Sequence, residues 1–128
     1  MKRARNIQHA WILACGTELI IGHCADTNSA WLAEKLASVG IETDRILTVP
    51  DRAALLANAL REAAAESDVI LLTGGLGPTE DDLTRTSLAE VAGVPLTIDP
   101  PSLENIRAFF AERAREMPPA NQVQAMIP

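Results

Sequence analysis

The stretch AWILAC, residues 10–15, decides the fold class of this 128-residue chain. It is a continuous apolar run that stops at Gly16, and such a run is typical of a strand buried on both faces of a sheet. The stretch VILLT, residues 69–73, repeats this pattern and ends on a second glycine, Gly74. We therefore predict two interior strands.

Helical patterns separate these strands. Apolar residues recur at helical spacing between Asp26 and Gly40, with cap candidates at both ends. Residues 41–49 contain enough β-branched side chains to form a strand, which Pro50 ends. Asp51 is expected to cap a second, alanine-rich helix. Strands and helices that alternate in this way predict an α/β fold, a three-layer α/β/α sandwich with a mainly parallel sheet.

The second half of the chain continues the alternation. We predict a helix over residues 83–92, an edge strand over 94–98 and a last helix over 100–117. Residues 120–128 show no clear periodicity. Because there is no repeat and no separating linker, we expect a single domain over residues 1–128.

The composition is that of a globular protein, with 48% hydrophobic and 22% charged residues. A net charge of -6 gives no general attraction to nucleic acid or anionic lipid, so we expect neither partner and a phosphate must be held locally. The basic segment at residues 1–5 is not followed by a signal-peptide hydrophobic region, and no window approaches the ~20 apolar residues of a membrane span. With two cysteines and no disulfide framework, we expect a cytoplasmic protein.

The loops that follow the predicted strands carry the candidate chemistry. Ligands bind at the carboxyl ends of strands in such sheets, so the loops that begin at Gly16, Pro50 and Gly74 are expected at one edge. The Gly74-Gly75-x-Gly77 loop suits an anion, because its N–H groups can approach a phosphate and a helix N-terminus follows. A tight strand-to-helix turn explains the same spacing equally well.

Acidic side chains accompany two of these loops. Glu80, Asp81 and Asp82 would repel one another, and two arrangements relieve this. Asp82 could cap the next helix while the others stay in solvent, or the carboxylates could hold Mg²⁺ or a similar cation. From the residues alone, capping is the first interpretation. Gly16-Thr17-Glu18 offers backbone donors, a hydroxyl and a further carboxylate.

The other polar candidates have simple structural interpretations. Capping comes first for Asp26, Asn28 and Asp51, with a ligand contact as the alternative. His9 and His23 have no second imidazole at metal-ligand spacing. We expect both histidines to be polar loop residues.

Several motifs that occur in one order resemble a known family. They are Gly16-Thr17-Glu18-Leu19, Asp26-Thr27-Asn28, Val49-Pro50-Asp51 and the run from Thr73 to Thr84, and the tail from Met117 to Pro128 agrees with them. Together they are similar to the N-terminal domain of the competence/damage-inducible protein CinA, over nearly the whole chain. The resemblance implies the molybdopterin-binding fold of proteins such as MogA, a three-layer α/β/α unit.

The resemblance also implies an activity. For CinA-type domains it implies a divalent-metal-dependent pyrophosphatase that acts on ADP-ribose or a similar dinucleotide. For MogA-like proteins it implies molybdopterin binding and adenylyl transfer. The Gly16-Thr17-Glu18-Leu19 and Thr27-Asn28 stretches favour the CinA branch, so pyrophosphate hydrolysis is our first expectation.

Particular residues take roles from this resemblance. The G-G-x-G-P-T-x-x-D-x-T motif of MogA-like proteins aligns with residues 74–84, which places an important aspartate on Asp82 and a second acidic position on Asp51. We expect these two as catalytic residues that hold Mg²⁺ or Co²⁺ or orient the water, with Glu18 as a further metal ligand. The residues expected at phosphate are Gly16, Thr17, Gly74, Gly75, Gly77, Thr79 and Thr84.

Family members continue beyond Pro128 with a further loop, a strand and helical segments, so the chain is expected to lack the C-terminal portion of the domain. An open sheet edge and self-associating relatives lead us to expect a homo-oligomer that binds a nucleotide or pterin. The alternative from another class is a non-catalytic nucleotide- or pterin-binding fragment.

Overall fold

The computed structural model describes residues 6–128, so the basic segment at residues 1–5 lies outside it. The chain divides into two compact units, one that runs up to Thr73 and one that comprises Gly74–Pro128. Each unit is described by itself below. The expectation of a single domain stays a prediction.

The first unit contains a three-stranded parallel sheet. Its strands are β1, His9–Cys15, β2, Glu42–Val49, and β3, Val69–Thr73, in the spatial order β2-β1-β3. Its helices are α1, Thr17–Ile20, α2, Thr27–Ser38, and α3, Ala53–Glu66. The predicted α/β fold with a parallel sheet is confirmed.

Strand β1 is buried on both faces. Ala10 and Ile12 pack against Leu36 of α2 on one face. Trp11 is 1% exposed and points to the opposite face, as successive side chains of a strand do. There the guanidinium of Arg45 lies 4.5 Å from the Trp11 ring and pairs with two glutamates of α3. The unit therefore has a helix on each side of its sheet, as the three-layer prediction requires.

Helix α3 faces this sheet with a mixture of leucine and alanine. Its buried residues are Leu56, Ala57, Leu60 and Ala63. The spacing of these four residues follows the helical period, so they form one stripe along the helix. Leu55, which the sequence pattern placed on the same apolar face, is 44% exposed.

Two local predictions in the first unit are wrong. Asp51 does not cap α3, since the N-cap position is Arg52 and no side chain caps it. His9 is the first residue of β1 and not a loop residue. The cap at Asp26 is confirmed, because its Oδ1 accepts a hydrogen bond of 3.0 Å from the N–H of Ser29.

The second unit is built from short elements. They are α4, Thr84–Ala92, β4, Thr97–Ile98, α5, Pro100–Ala111, a 3₁₀ helix, Pro119–Ala125, and β5, Met126–Ile127. Strands β4 and β5 pair antiparallel, with Thr97 opposite Ile127. The N–H of Asp99 donates to the carbonyl of Ala125 at 2.8 Å, which ties α5 to the 3₁₀ helix.

This unit differs from the sequence prediction at three places. The strand predicted over 94–98 shrinks to two residues, and residues 120–128 contain structure that the pattern did not indicate. The last helix ends at Ala111 instead of residue 117. Ala114, at φ 51°, adopts a left-handed conformation that a helix cannot continue through.

Between residues 6 and 128, no helix combines the length and the apolar composition needed to cross a membrane.

The stripe on α3 predicts the effect of two matched leucine substitutions. Leu60 is 1% exposed, whereas Leu55 is 44% exposed on the same helix. We expect Leu60→Ala to lower the free energy of unfolding by about 2–5 kcal/mol, because it leaves a cavity in the core. Leu55→Ala should lower it far less. Urea denaturation of both variants measures the difference, and equal losses would contradict the assigned face.

The N-cap of α5 predicts a pH dependence of stability. Asp99 Oδ2 accepts hydrogen bonds from Ser102, from Oγ at 2.5 Å and from the N–H at 2.9 Å. These bonds, the hydroxyl's first, hold the pKa of Asp99 below its ordinary value of 3.8, although desolvation acts in the opposite direction. The cap therefore stabilises the fold above the unfolded-state pKa, and this stabilisation is lost as pH falls through the folded-state pKa.

Asp99→Asn is the matched variant, because asparagine also caps helices but does not titrate. Thermal unfolding at a series of pH values between about 5 and 2 should show the wild type more stable at the upper end, with the difference shrinking as the pH falls. A difference that stays constant over this range would refute the role of the Asp99 charge.

Candidate functional site

Two loops of the first unit meet at the carboxyl ends of its strands. The N–H of Gly16 donates to the carbonyl of Val49 at 3.0 Å and so joins the ends of β1 and β2. Thr17 and Asp51 then form a reciprocal pair. The N–H of Thr17 donates to Asp51 Oδ2 at 2.9 Å, and the N–H of Asp51 donates to Thr17 Oγ1 at 3.1 Å. The fold thus brings together three of the predicted site residues.

Glu18 and Asn28 add polar groups to the same end of the unit. The carboxylate of Glu18 folds back over Gly16, where an added Cβ would lie 2.7 Å from Glu18 Cδ. Asn28 Nδ2 donates to Thr73 Oγ1 at 3.1 Å and links the start of α2 to the end of β3. Asn28 therefore holds a strand end instead of capping its helix, and the predicted convergence of loops at this edge is borne out for the first unit.

The glycine loop of the second unit is tied to the start of α4. Gly74 and Gly75 both have positive φ, at 84° and 61°, a conformation that glycine adopts without strain. The Thr84 hydroxyl donates to the Gly74 carbonyl at 2.8 Å. A Cβ at Gly75 would lie 2.5 Å from Thr84 Oγ1. Both the backbone conformation and this close approach therefore require glycine.

Asp82 organises the middle of this loop. Its Oδ1 accepts from the N–H of Gly77 at 2.8 Å, and its Oδ2 accepts from Thr79, from the N–H at 2.9 Å and from Oγ1 at 2.7 Å. The predicted N-cap role of Asp82 is wrong, because the N-cap position of α4 is Leu83 and has no side-chain cap. The carboxylate instead satisfies donors inside the loop.

These contacts favour the ionised form of Asp82. The Thr79 hydroxyl contributes most, and the N–H groups of Thr79 and Gly77 and the charge of Arg85 add to it, so that the pKa of Asp82 lies below its usual value despite partial desolvation. An ionised carboxylate can both anchor the loop and attract a cation. The hydrogen bonds to Thr79 occupy Oδ2, so Oδ1 is the oxygen with more capacity for a further contact.

Arg85 is a site residue that the sequence analysis missed. Its guanidinium donates to two loop carbonyls, to that of Leu76 at 2.6 Å and to that of Gly77 at 2.7 Å. The one available signal was its position, since a basic residue in the first turn of a helix opposes the helix dipole and needs a compensating contact. The loop carbonyls supply that compensation.

A cavity of about 290 Å³ opens beside this loop. Its wall has a polar part and an apolar part. The polar part is lined by Thr79, Glu80, Asp82, Arg85 and Thr86. The apolar part is lined by Pro78, Leu83, Leu96, Val123 and Met126. The volume is near the lower end of the ~300–1,000 Å³ found for ligand pockets. Arg85 and Thr86 belong to the first turn of α4, where N–H groups have no carbonyl partner within the helix. The positive end of the α4 dipole therefore lies at this wall and favours an anion.

The predicted metal ligands fall in both units. Asp51 and Glu18 belong to the first unit and Asp82 to the second. Their carboxylate oxygens are the ligand type that Mg²⁺ prefers, and Asp51 uses only Oδ2 for Thr17. The side chains present therefore fit a hard divalent cation. That all three hold one cation stays a prediction.

The close contact of Gly77 with Asp82 predicts a coupled pair of substitutions. A Cβ at residue 77 would lie 2.5 Å from Asp82 Oδ2, so Gly77→Ala must displace the carboxylate from its donors. We expect a loss of about 1 kcal/mol in the free energy of unfolding. In an Asp82→Ala background the same change should cost much less, because the clash is gone. Denaturant unfolding of the four proteins measures the coupling, and strictly additive losses would contradict it.

A protein-family model matches nearly the whole chain. Residues 11–127 match the family described as a probable molybdopterin binding domain. A CinA-like protein of Thermomicrobium roseum is 49% identical over 116 residues, which are 91% of this chain and 29% of that protein. The chain thus spans less than a third of the length of this curated relative.

Two solved structures share the fold. The protein CinA from Thermoplasma acidophilum matches with a TM-score of 0.84 and 31% identity, over 96% of this chain and 72% of that chain. The molybdopterin biosynthesis enzyme MoaB from Thermus thermophilus matches with a TM-score of 0.64 and 26% identity, over 89% and 69% of the two chains. Because the family model covers nearly the whole chain and the Thermoplasma CinA structure matches at 31% identity over most of both chains, this chain belongs to the molybdopterin-binding domain family and, within it, to the CinA-like proteins.

Proposed function

We propose that this chain is a divalent-metal-dependent pyrophosphatase that acts on ADP-ribose or a similar dinucleotide. The observation that carries the proposal is the glycine loop folded around Asp82, beside a cavity lined in part by Arg85 and Thr86 of the first turn of α4. This arrangement suits a phosphate group. The CinA-like relationship favours hydrolysis over adenylyl transfer, as the resemblance of the loop motifs implies.

Charge is the main obstacle to hydrolysis of a diphosphate. Its negative oxygens repel an approaching hydroxide, so the protein must supply positive potential and hold a water in place. A bound Mg²⁺ or Co²⁺ ion would neutralise part of this charge and polarise a phosphoryl oxygen. We assign metal-binding carboxylates to each unit separately, Asp51 and Glu18 in the first and Asp82 in the second, where the loop contacts of Asp82 favour its ionised form.

In this proposal, some of the residues expected at phosphate shape the loops, and the others contact the phosphate. The N–H groups of Gly77 and Thr79 are directed at Asp82, so these residues shape the loop. The backbone of Gly74 and Gly75, which carries no side chains, and the first turn of α4 then remain for the phosphate oxygens. Gly16 and Thr17 shape the loop after β1 in the first unit, where Thr17 positions Asp51.

Hydrolysis of ADP-ribose with and without added metal tests the proposal. We expect AMP release that depends on Mg²⁺ or Co²⁺ and is abolished by a chelator. Asp51→Asn and Asp82→Asn should each lower kcat/KM by roughly 10²-fold or more, the scale on which loss of one charge-stabilising group acts. Asp81→Asn is the matched control, because Asp81 is an exposed carboxylate of the same loop. It should retain nearly full activity.

Two outcomes would count against this function. Absence of metal-dependent hydrolysis in the wild type would refute the pyrophosphatase proposal. An Asp82→Asn protein as active as the wild type would remove the role of Asp82 while leaving the activity itself in place. Circular dichroism of each variant separates loss of chemistry from loss of folding.

Pterin binding is the second candidate, and the match to the MoaB structure favours it. In this case the chain would bind molybdopterin, with adenylyl transfer or with no catalysis, in place of hydrolysing a dinucleotide. Calorimetry with ADP-ribose and a molybdopterin analogue distinguishes the candidates, because tight binding without turnover supports a binding module. The homo-oligomer and the cytoplasmic location also remain proposals, and gel filtration measures the first.

A further inference from the structure

We propose that His9, Glu42 and Asp44 form a separate binding site for a divalent transition-metal ion such as Zn²⁺, at the amino ends of β1 and β2. We call these three residues the His9 cluster. His9 and Glu42 are the first residues of their strands, so the cluster lies at the end of the sheet opposite to Thr17 and Asp51. With seven residues in β1, the two ends are roughly 20 Å apart. The proposal does not depend on the pyrophosphatase activity.

The backbone register brings the three side chains together. His9 pairs directly with Glu42 across the parallel ladder. The register then shifts, so that Ala10 pairs with Thr43 but Trp11 pairs with Arg45. Asp44 is the extra residue of this bulge. Bulges redirect side chains, and here Asp44 reaches His9, whose Nδ1 lies 3.2 Å from each carboxylate oxygen.

The donor atoms have a spacing that a metal can close. One ligand atom from each of the three residues lies within 4.8 Å of the other two. Tetrahedral Zn²⁺ with ligand bonds of about 2.0–2.2 Å requires donors roughly 3.3–3.5 Å apart. All three residues are exposed, so small side-chain rotations can contract the cluster. A water molecule would complete the fourth position.

A third carboxylate, that of Asp68, holds the backbone next to the cluster. Asp68 Oδ2 accepts hydrogen bonds from the N–H groups of Gln8, at 3.0 Å, and His9, at 3.1 Å. It fixes the backbone of the imidazole donor and adds negative charge beside it.

Arg45 does not neutralise this charge, although it follows Asp44 directly in the sequence. Its guanidinium pairs with Glu62 at 2.9 Å and with Glu66 at 3.5 Å. Its other contact is the ring of Trp11. The basic side chain is therefore committed to α3, and a dication would offset the carboxylates around His9.

The donor set decides which metal binds. One imidazole nitrogen with two carboxylates suits Zn²⁺, Co²⁺ and Ni²⁺. Mg²⁺ and Ca²⁺ prefer oxygen donors throughout. The His9 cluster should therefore bind Zn²⁺ in the presence of excess Mg²⁺, and bound metal would hold the first residues of β1 and β2 together.

Isothermal titration of the 128-residue chain with Zn²⁺ in excess Mg²⁺ tests this inference. We expect one saturable site in the wild type. Affinity should fall at least about tenfold in His9→Ala, Glu42→Gln and Asp44→Asn. His23→Ala is the matched control, because it removes the other histidine, which lies beside the exposed Cys24, and leaves the cluster intact. Its affinity should equal that of the wild type.

A second readout follows the imidazole itself. Stoichiometric Zn²⁺ should shift the ring NMR signals of His9 while those of His23 stay unchanged. Absence of saturable binding in the wild type would overturn the site. Binding that survives His9→Ala, or that disappears in His23→Ala, would place the ion elsewhere and overturn it equally. Circular dichroism confirms that each variant is folded.

Discussion

Burial of β1 between two hydrogen-bonded neighbours is the constraint on which the first unit depends. A parallel strand needs a crossover connection to each neighbour, so α2 and α3 must return the chain to the amino end of the sheet. The side chains of β1 are buried on both faces of the sheet, so each face needs a helix to cover it. Because the strands are parallel, the chain leaves each of them at the same end of the sheet. The pair formed by Thr17 and Asp51, 34 residues apart, is a direct product of this geometry.

The sheet was predictable from the sequence because its signal is local. Continuous apolar runs such as residues 10–15 and 69–73 are typical of strands, and both form strands of the parallel sheet. The prediction that both are interior strands holds for β1 and is wrong for β3, which within residues 6–128 pairs only with β1 in the order β2-β1-β3 and is half-buried along its length. The end of α5 was not predictable, since the apolar stripe continues past Ala111 while the backbone turns at Ala114. Strand β5 has two residues and exists through its pairing with β4, which no local periodicity can indicate.

The aspartates show where local reasoning fails within the candidate site. Asp26, Asp51 and Asp82 all precede helices, and the sequence indicates the same capping role for each. Only Asp26 caps. Asp51 and Asp82 bind donors from other segments, the N–H of Thr17 and those of the glycine loop, which compete with the helix end for the same carboxylate oxygens. The choice between these donors depends on folded geometry, so the sequence shows an aspartate before each helix but not which donors its carboxylate binds.

The alanines on the inner face of α3 limit how this helix can evolve. Ala63 is fully buried and Ala57 is 2% exposed, so a larger side chain at either position would have to be accommodated inside the core. Overpacking such positions typically costs about 1–3 kcal/mol, a large part of the stability of a small fold. Sequence drift among descendants should therefore concentrate on the solvent side of the helix, around Asn58 and Arg61. Its inner face should keep small residues long after the outer face has diverged.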